Sequence, residues 1–314
     1  MSASKPTPTP SAGSGRTTVI ALFGPTGVGK TAIAVALAQL LRVRGETPVA
    51  VSADALQVYA GLETLTGVAS AGERAALDHR LLSFVPLDAT FSVGQYAKLA
   101  HAEIDALLAA GHRPIVVGGT GLYLRAALAD LDLRPEPAPG IRERVMADLQ
   151  LHGAPELHRR LAQGAAWAAQ GIDERDWRRI VRALELLEAG ELQPPQGPSQ
   201  LWSDELRHPT LLAALTMQRE ALYERIDARV DQMLASGARE EVRQAHAAGA
   251  SLTARKALGF DELLTDDIEA MKRRTRNYAR RQLTWLRKLA GVMPIDVTGR
   301  SADSVAAEIL DSAA

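Results

Sequence analysis

The stretch Gly24–Thr31, which reads GPTGVGKT, constrains the fold of this chain more than any other part of its sequence. It matches the pattern G-x-x-x-x-G-K-[ST], in which a glycine-rich loop wraps backbone amides around phosphate groups. The apolar run Thr17–Phe23 before it is typical of a buried parallel strand, and the apolar stretch Thr31–Leu41 after it is typical of a buried helix. This succession of strand, loop and helix predicts an α/β fold that binds phosphate.

Each residue type in this phosphate loop (Gly24–Thr31) has a physical role. The glycines allow the backbone to turn with its N–H groups inward, and the following helix adds the partial positive charge of its N-terminus. Lys30 is expected to neutralise phosphate oxygens, and the hydroxyl of Thr31 is expected to bind Mg²⁺. The predicted phosphate-binding residues are Gly24, Pro25, Thr26, Gly27, Val28, Gly29, Lys30 and Thr31.

Further strands and helices alternate along the first part of the chain. Strands are expected over Pro48–Asp54, within His79–Leu87 and over Arg113–Gly121, and an amphipathic helix is expected over Val93–Gly111. This alternation predicts a parallel sheet that is flanked by helices on both faces.

The pattern changes after about Leu133. Residues up to Gln200 contain helical stretches and two proline-rich breaks, and His208–Met217 then reads as a last strand. The helices expected after it cover Arg219–Ser236, Ala238–Gly249 and Asp267–Ala290. We therefore predict an α/β core over residues 17–132 and 206–314 with a helical C-terminal region, and a helical insertion domain over residues 133–205. The Pro, Ser, Thr and Gly content of residues 1–16 predicts a disordered tail.

Two residues at expected strand ends are candidates for chemistry. Asp54 ends a strand that is expected to lie beside the strand of the phosphate loop, where ligands of open α/β sheets gather. It is a candidate Mg²⁺ ligand or general base, and a helix N-cap is an equally good interpretation. Thr120, in the glycine-rich stretch VVGGTG, offers one hydroxyl to a substrate, and a turn without chemistry is the alternative.

Basic residues concentrate in two predicted helices, although the formal net charge of the chain is only −1. The helix within Arg175–Gly190 has four arginines in its first turns, where they oppose the helix dipole unless they meet an anion or pair with Glu174 and Glu185. Met271–Lys288 has eight basic residues and no acidic one. Its arginines at positions 273, 276, 280 and 287 form a stripe, which favours nucleic acid over a solvated face.

The composition excludes several classes of protein. The chain has no cysteine, so it has no disulfide or thiolate zinc site, as expected for a reducing compartment. Its apolar runs are shorter than the roughly 18 residues of a membrane span. Its N-terminus lacks the apolar segment of a signal peptide. We therefore expect a cytoplasmic protein with no membrane partner.

Seven collinear segments together resemble the tRNA dimethylallyltransferases. They read GPTGVGKT, SADALQVYAGL, VVGGTGLYLRAAL, RRIVRALELLEAG, LYERIDARVDQMLASGAREEV, ALGFDEL and RRQLTWLRK. The resemblance implies a kinase-like P-loop core with a helical insertion that binds tRNA. It also implies Mg²⁺-dependent transfer of a prenyl group from dimethylallyl diphosphate to N6 of the adenosine beside the anticodon, without consumption of ATP. Members of this family are mostly monomeric, so no stable protein partner is expected.

The resemblance also implies roles for individual residues. It makes Asp54 the general base, places Thr120 near the transferred group and assigns Arg229, or alternatively Arg225, to the diphosphate. The adenosine pocket is then expected to be lined by Ala55, Leu56 and Gln57. The implied tRNA contacts are Arg142, Arg178, Arg179, Ile180, Val181, Arg182, Arg255, Lys256, Ala257, Leu258, Gly259 and Phe260.

The chain departs from the family pattern after Asp54. Ala55 replaces a serine, Ala60 replaces an arginine, and a lysine that usually precedes a proline is missing. A small-molecule kinase is an alternative function, which would require ATP and leaves the basic C-terminal helix unexplained. An adenylate isopentenyltransferase would not need the two arginine clusters, and an RNA-binding protein without activity would need neither Lys30 nor Asp54.

Overall fold

The computed structural model describes residues 19–134, 138–194, 197 and 200–313. The predicted disordered tail, residues 1–16, and the start of the first predicted strand lie outside the described residues. The described chain divides into two compact units. The first contains the described residues up to Asp130 and from Asp204 onward, and the second lies within Leu131–Ser203.

The first unit is built on a parallel sheet of six strands. They are β1 (Val19–Phe23), β2 (Pro48–Ser52), β3 (His79–Arg80), β4 (Arg113–Gly118), β5 (Thr210–Thr216) and β6 (Val292–Asp296), and they lie in the order β3-β2-β4-β1-β5-β6. Each neighbouring pair is parallel, as the alternation of strands and helices predicts. The predicted α/β class is therefore confirmed.

Two sequence-based expectations about this sheet are wrong. β2 does not lie beside β1, because β4 pairs with both of them and separates them. The strand within His208–Met217 is not the last, because β6 adds to the edge of β5. β6 contains a proline and only one fully buried residue, so it lacks the apolar pattern of a central strand.

Six of the helices were predicted within a few residues of their ends, whereas the others were not predicted individually. In chain order they are α1 (Lys30–Val43), α2 (Glu63–Thr66), α3 (Ala71–Ala76), α4 (Val93–Ala109), α5 (Gly121–Leu128), α6 (Ile141–Gly164), α7 (Ala166–Gln170), α8 (Trp177–Glu188), α9 (Arg219–Ala235), α10 (Ala238–Ala247), α11 (Phe260–Leu264), α12 (Ile268–Leu286) and α13 (Ala302–Ser312). No helix in the described part of the chain is both long enough and apolar enough to cross a membrane.

Burial explains why the central strands carry continuous apolar runs. Every residue of β1 is fully buried, as expected for a strand that is covered on both faces. Leu37 and Leu41 of α1 and Ile309 of α13 are also fully buried and belong to one core cluster with Ile20. This core fixes the carboxyl ends of the strands, where the loops of the site begin.

The second unit consists of α6, α7 and α8. Val145 and Leu161 of α6 pack with Ile180 and Leu184 of α8 in its core. α6 is interrupted at Gly153, whose φ is 77° and ψ is 168°, two residues before Pro155. Glycine tolerates this backbone conformation, so α6 changes direction within the unit.

Candidate active site

A cavity of about 840 Å³ opens at the carboxyl ends of the central strands in the first unit. It is lined by Lys30 and Thr31 of the phosphate loop, by Asp54 after β2 and by Gly118 at the end of β4. Arg229 of α9 lines it as well. The fold therefore brings together the residues to which the sequence analysis assigned phosphate binding and proton transfer.

The phosphate loop has the conformation that its glycines permit. Gly29 has a φ of 101° and immediately precedes α1, so the loop leads directly into the N-terminus of a helix. A Cβ atom at Gly24 would lie 2.8 Å from the carbonyl oxygen of Leu215, so β5 leaves no space for a side chain there. The side chain of Val28 is buried in the core, whereas Thr26, Gly27 and Gly29 line the cavity.

Lys30 lies across this loop. Its Nζ donates hydrogen bonds to the carbonyl oxygens of Gly24 at 2.9 Å and Pro25 at 3.0 Å. The pKa of Lys30 is lowered to about 8, chiefly by burial, with the charge of Asp54 opposing the shift and that of Arg229 adding to it. A partly dehydrated cation of this kind interacts strongly with an anion that enters the cavity.

Arg229 supplies a second cation. Its Nη2 donates to the carbonyl oxygen of Gly67 at 3.2 Å, while its Nε is buried without a hydrogen-bond partner among the described residues. Burial lowers the pKa of Arg229, and the charges of Asp54 and Glu73 raise it. Arg225 lies one turn earlier on α9, with its Nη2 3.3 Å from the position of a Cβ atom at Gly29. Arg229 thus faces the cavity, and Arg225 lies beside the loop.

Asp54 does not cap a helix, because the next helix, α2, begins only at Glu63. The helix N-cap interpretation of Asp54 is therefore wrong. Its Oδ1 accepts the backbone N–H of Leu56 at 3.0 Å, which orders the turn Asp54–Gln57. The carboxylate is half-buried and lines the cavity, so it is available to a substrate as a hydrogen-bond acceptor or a base.

Thr120 joins this turn to the end of β4. Its Oγ1 accepts the backbone N–H of Ala55 at 3.3 Å and lies 3.3 Å from the hydroxyl of Tyr278. Its side chain makes no capping hydrogen bond to α5, which begins at the next residue. The hydroxyl of Thr120 is thus held next to the Asp54 turn.

The remaining residues assigned to the adenosine pocket and to tRNA in this unit have mixed environments. Leu56, Gln57 and Leu258 line the cavity. Ala257 and Phe260 are fully buried, and Gly259 has a φ of 96° at the start of α11. Arg255 pairs with Asp261 at 3.4 Å, and Lys256 follows it in a short 3₁₀ turn.

The sequence analysis missed two polar residues of α12. Gln282 and Tyr278 line the cavity, and Gln282 is only 4% exposed. The sequence signal for Gln282 was its spacing. Met271, Thr275, Ala279 and Gln282 follow one another at intervals of three or four residues, which places the polar Gln282 on the buried face of a basic helix.

The basic stripe of α12 is divided between ion pairs and exposed side chains. Arg276 pairs with both carboxylate oxygens of Asp227, at 2.6 and 2.7 Å, and Arg280 donates to the side chain of Asn277. Arg273 and Arg287 are exposed and form no ion pair with any residue that the structure describes. Arg281 lies 5.4 Å from the centre of the Tyr278 ring.

In the second unit, the predicted tRNA-binding residues are Arg142 of α6 and residues 178–182 of α8. Ile180 and Val181 are buried in its core, whereas Arg178 and Arg179 are exposed. Arg178 lies over the ring of Trp177 at 4.6 Å. Arg142 and Arg182 pair with the fully buried Glu185, at 2.9 and 3.2 Å. This unit therefore contains two kinds of arginine: Arg178 and Arg179 are exposed, whereas Arg142 and Arg182 are paired with a buried carboxylate.

Comparisons with known proteins give consistent results. A family model described as IPP transferase matches residues 57–289. The chain is 42% identical over 289 residues to the tRNA dimethylallyltransferase of Anaeromyxobacter dehalogenans, an alignment that covers 88% of this chain and 93% of that protein. It is 40% identical over 284 residues to the enzyme of the same name from Thermobifida fusca, with 86% and 87% covered.

Solved structures show the same similarity. The full-length tRNA isopentenylpyrophosphate transferase of Bacillus halodurans superimposes with a TM-score of 0.68 at 30% identity, and 95% of each chain is covered. A eukaryotic dimethylallyltransferase, described as acting on tRNA, superimposes with a TM-score of 0.72 at 26% identity. In that case 90% of this chain and 74% of the other are covered.

Proposed function

This chain belongs to the IPP transferase family, and from that premise we propose that it transfers a dimethylallyl group from dimethylallyl diphosphate to tRNA. The acceptor atom in this proposal is N6 of the adenosine adjacent to the anticodon. The bond between the allylic carbon and the diphosphate oxygen breaks, a carbon–nitrogen bond forms, and one N6 proton leaves. Since the substrate is tRNA, we propose the cytoplasm as the site of action.

One observation carries the proposal. A single cavity holds two buried or half-buried cations, Lys30 and Arg229, together with the carboxylate of Asp54. Prenyl transfer to an amine requires the cations and the carboxylate at the same time. The cations meet the negative charge that builds on the leaving diphosphate, and the carboxylate accepts the proton that the amine loses.

The cations stabilise the leaving diphosphate. Lys30, Arg229 and the N–H groups at the start of α1 are fixed before the reaction, so they stabilise the diphosphate charge without a large reorganisation. The buried Nε of Arg229, which has no hydrogen-bond partner among the described residues, is a donor that an incoming phosphate oxygen would satisfy. These contacts favour departure of the diphosphate.

Asp54 acts on the acceptor amine. The N6 amine of adenine is a weak nucleophile because its lone pair is delocalised into the ring, so removal of a proton assists its attack. We assign that proton to the carboxylate of Asp54, whose backbone turn is fixed by the Leu56 amide. We place the adenine base beside Leu56, Gln57 and Thr120.

The residues at the loop end of the cavity fit a Mg²⁺ ion. Mg²⁺ prefers hard oxygen ligands and usually binds through one or two protein groups, with phosphate oxygens and water completing its shell. The hydroxyl of Thr31 is such an oxygen, and the described residues contain no group of three or more acidic or histidine side chains that could form a separate metal site. When bound there, Mg²⁺ would neutralise diphosphate charge.

We assign tRNA binding to exposed arginines. Arg273 and Arg287 of α12 and Arg178 and Arg179 of α8 are suited to contact phosphates of the anticodon stem-loop. A base in a single-stranded loop leaves its stack at lower cost than a base in a duplex, which favours an anticodon-loop adenosine as the acceptor.

Incubation of the purified protein with labelled dimethylallyl diphosphate and unmodified tRNA tests the proposal. The label should appear in tRNA with equimolar release of diphosphate and no requirement for ATP, and Lys30→Met should show no transfer. Labelling of AMP but not of tRNA would contradict it in favour of an adenylate isopentenyltransferase. An ATP-dependent phosphorylated product would contradict it in favour of a kinase.

A further inference from the structure

Helix α12 contributes two polar side chains that connect the loops of the active site. Tyr278 and Gln282 lie one turn apart on the helix and both line the cavity. The nearby Thr275 donates to Met271 of its own helix, so its hydrogen bond is local. Tyr278 and Gln282 instead reach loops that are far away in sequence.

The amide of Gln282 bridges two strand ends. Its Oε1 accepts the backbone N–H of Thr26 in the phosphate loop at 2.8 Å, and its Nε2 donates to the carbonyl oxygen of Gly119 at 2.7 Å. Thr26 follows β1 and Gly119 follows β4, which are neighbouring strands. One side-chain amide therefore joins the phosphate loop to the turn after β4.

The contact is close and chemically specific. A Cβ atom at Gly119 would collide with Nε2 of Gln282 and would lie 3.4 Å from Nζ of Lys30. The amide and the phosphate-binding lysine therefore both lie against the turn after β4. The position needs an acceptor toward Thr26 and a donor toward Gly119, and an amide offers both, whereas a carboxylate offers only acceptors.

Tyr278 extends the connection to the general base. Its hydroxyl lies 3.3 Å from that of Thr120. Thr120 in turn accepts the N–H of Ala55, the residue after Asp54. Through these contacts α12 holds the phosphate loop, the turn after β4 and the Asp54 turn at once.

We propose that Gln282 is a positioning residue that fixes the phosphate loop relative to the turn carrying Asp54. The inference rests on the proposed function, because the loop holds the diphosphate and Asp54 receives the proton of the acceptor amine. When Gln282 is changed, the phosphate loop keeps its internal hydrogen bonds from Lys30. The change therefore alters the distance between the prenyl diphosphate and the acceptor amine, and the affinity for each substrate is retained.

Replacement of Gln282 by Met tests the inference, because Met has a similar length and forms neither hydrogen bond. We expect the single-turnover rate of prenyl transfer to fall roughly 10²-fold, as for a small misplacement of reacting groups. The dissociation constants for inorganic diphosphate and for tRNA should stay within about twofold of wild type. The amide hydrogen of Thr26 should exchange faster with solvent. Gln282→Glu should lose rate to at least the same extent, because its carboxylate repels the carbonyl of Gly119.

Gln244→Met is the matched control, since Gln244 is an exposed helical glutamine of the same unit whose side chain donates a hydrogen bond to Glu240 of its own helix. It should behave as wild type. If Gln282 served folding alone, both variants of it would melt at lower temperature but transfer at the wild-type rate per folded molecule, which would overturn the inference. If Gln282→Met did not fold, Gln282→Glu would supply the same comparison. An inactive wild-type protein would overturn the proposed function. An active wild-type protein with fully active Gln282 variants would overturn only the positioning role, so the two failures are distinguishable.

Discussion

At the scale of single residues, the position of Asp54 leaves two roles to separate: general base and Mg²⁺ ligand. Asp54→Asn keeps an acceptor for the Leu56 N–H, so the turn and the tRNA affinity should be retained. As a base, Asp54 should contribute roughly 10²–10⁴-fold to the single-turnover rate, and Asn should lose that factor at every Mg²⁺ concentration. A rate that recovers as Mg²⁺ is raised would identify a metal ligand instead. A normal rate would contradict both roles.

Lys30 makes a pH-dependent contribution to diphosphate binding. Burial lowers its pKa to about 8, so it carries its positive charge below this pH and loses it as the pH rises through this value. The affinity for inorganic diphosphate should therefore fall above about pH 8, by up to about tenfold per pH unit. Calorimetric titrations between about pH 6.5 and pH 9.5 measure this effect. Lys30→Met is the control, because the ionisation of diphosphate itself also changes with pH. This variant should lose the part of the pH dependence of diphosphate affinity that is due to the lysine.

At the scale of the helix, α12 combines two kinds of arginine. Arg273 is exposed and free to contact RNA, whereas Arg276 is held by Asp227 and is 25% exposed. Arg273→Gln should lower the slope of log affinity for tRNA against log salt by about 0.7, one phosphate contact to a single strand. Arg276→Gln should change the slope less and destabilise the fold by about 1 kcal/mol, because Asp227 loses its partner. Equal slopes in both variants would show that the ion pair opens on tRNA binding.

α8 shows the same division within the second unit. Arg142 and Arg182 surround the buried carboxylate of Glu185 and supply it with two ion-pair partners. Arg178 and Arg179 are exposed near the helix N-terminus and form no ion pair within the part of the chain that the structure describes, at a position where cations are unfavourable without an anion. Helix packing thus assigns the first pair to structure and leaves the second pair for a ligand.

At the scale of the whole molecule, the predicted diphosphate contacts and part of the predicted tRNA contacts lie in different units. Lys30→Ala and Thr31→Ala should abolish turnover and leave the tRNA dissociation constant unchanged, because the cavity they line lies within the first unit. The double variant of Arg178 and Arg179 to Gln should weaken tRNA binding and leave diphosphate affinity unchanged. Fluorescence anisotropy with labelled tRNA and calorimetry with diphosphate measure the two affinities. A parallel loss of both in either variant would contradict this separation.

The sequence by itself determined the elements whose information is local. The glycines and lysine of Gly24–Thr31 specify the phosphate loop because the motif is contiguous, and apolar patterns located the central strands and six of the helices. Lys30 was assigned by motif and Asp54 and Arg229 by the family resemblance, and all three line one cavity. β6 was missed because an edge strand with one buried residue and a proline lacks the apolar signal.

Only the tertiary structure decided the order of the strands and the contacts of α12. No local pattern states that β4 lies between β1 and β2, because backbone hydrogen bonds between strands are independent of side-chain identity. Gln282 meets Thr26 across 256 residues and Gly119 across 163. A glutamine in a basic helix looks like one more solvated side chain until packing buries it, and its amide then requires the two partners that these loops supply.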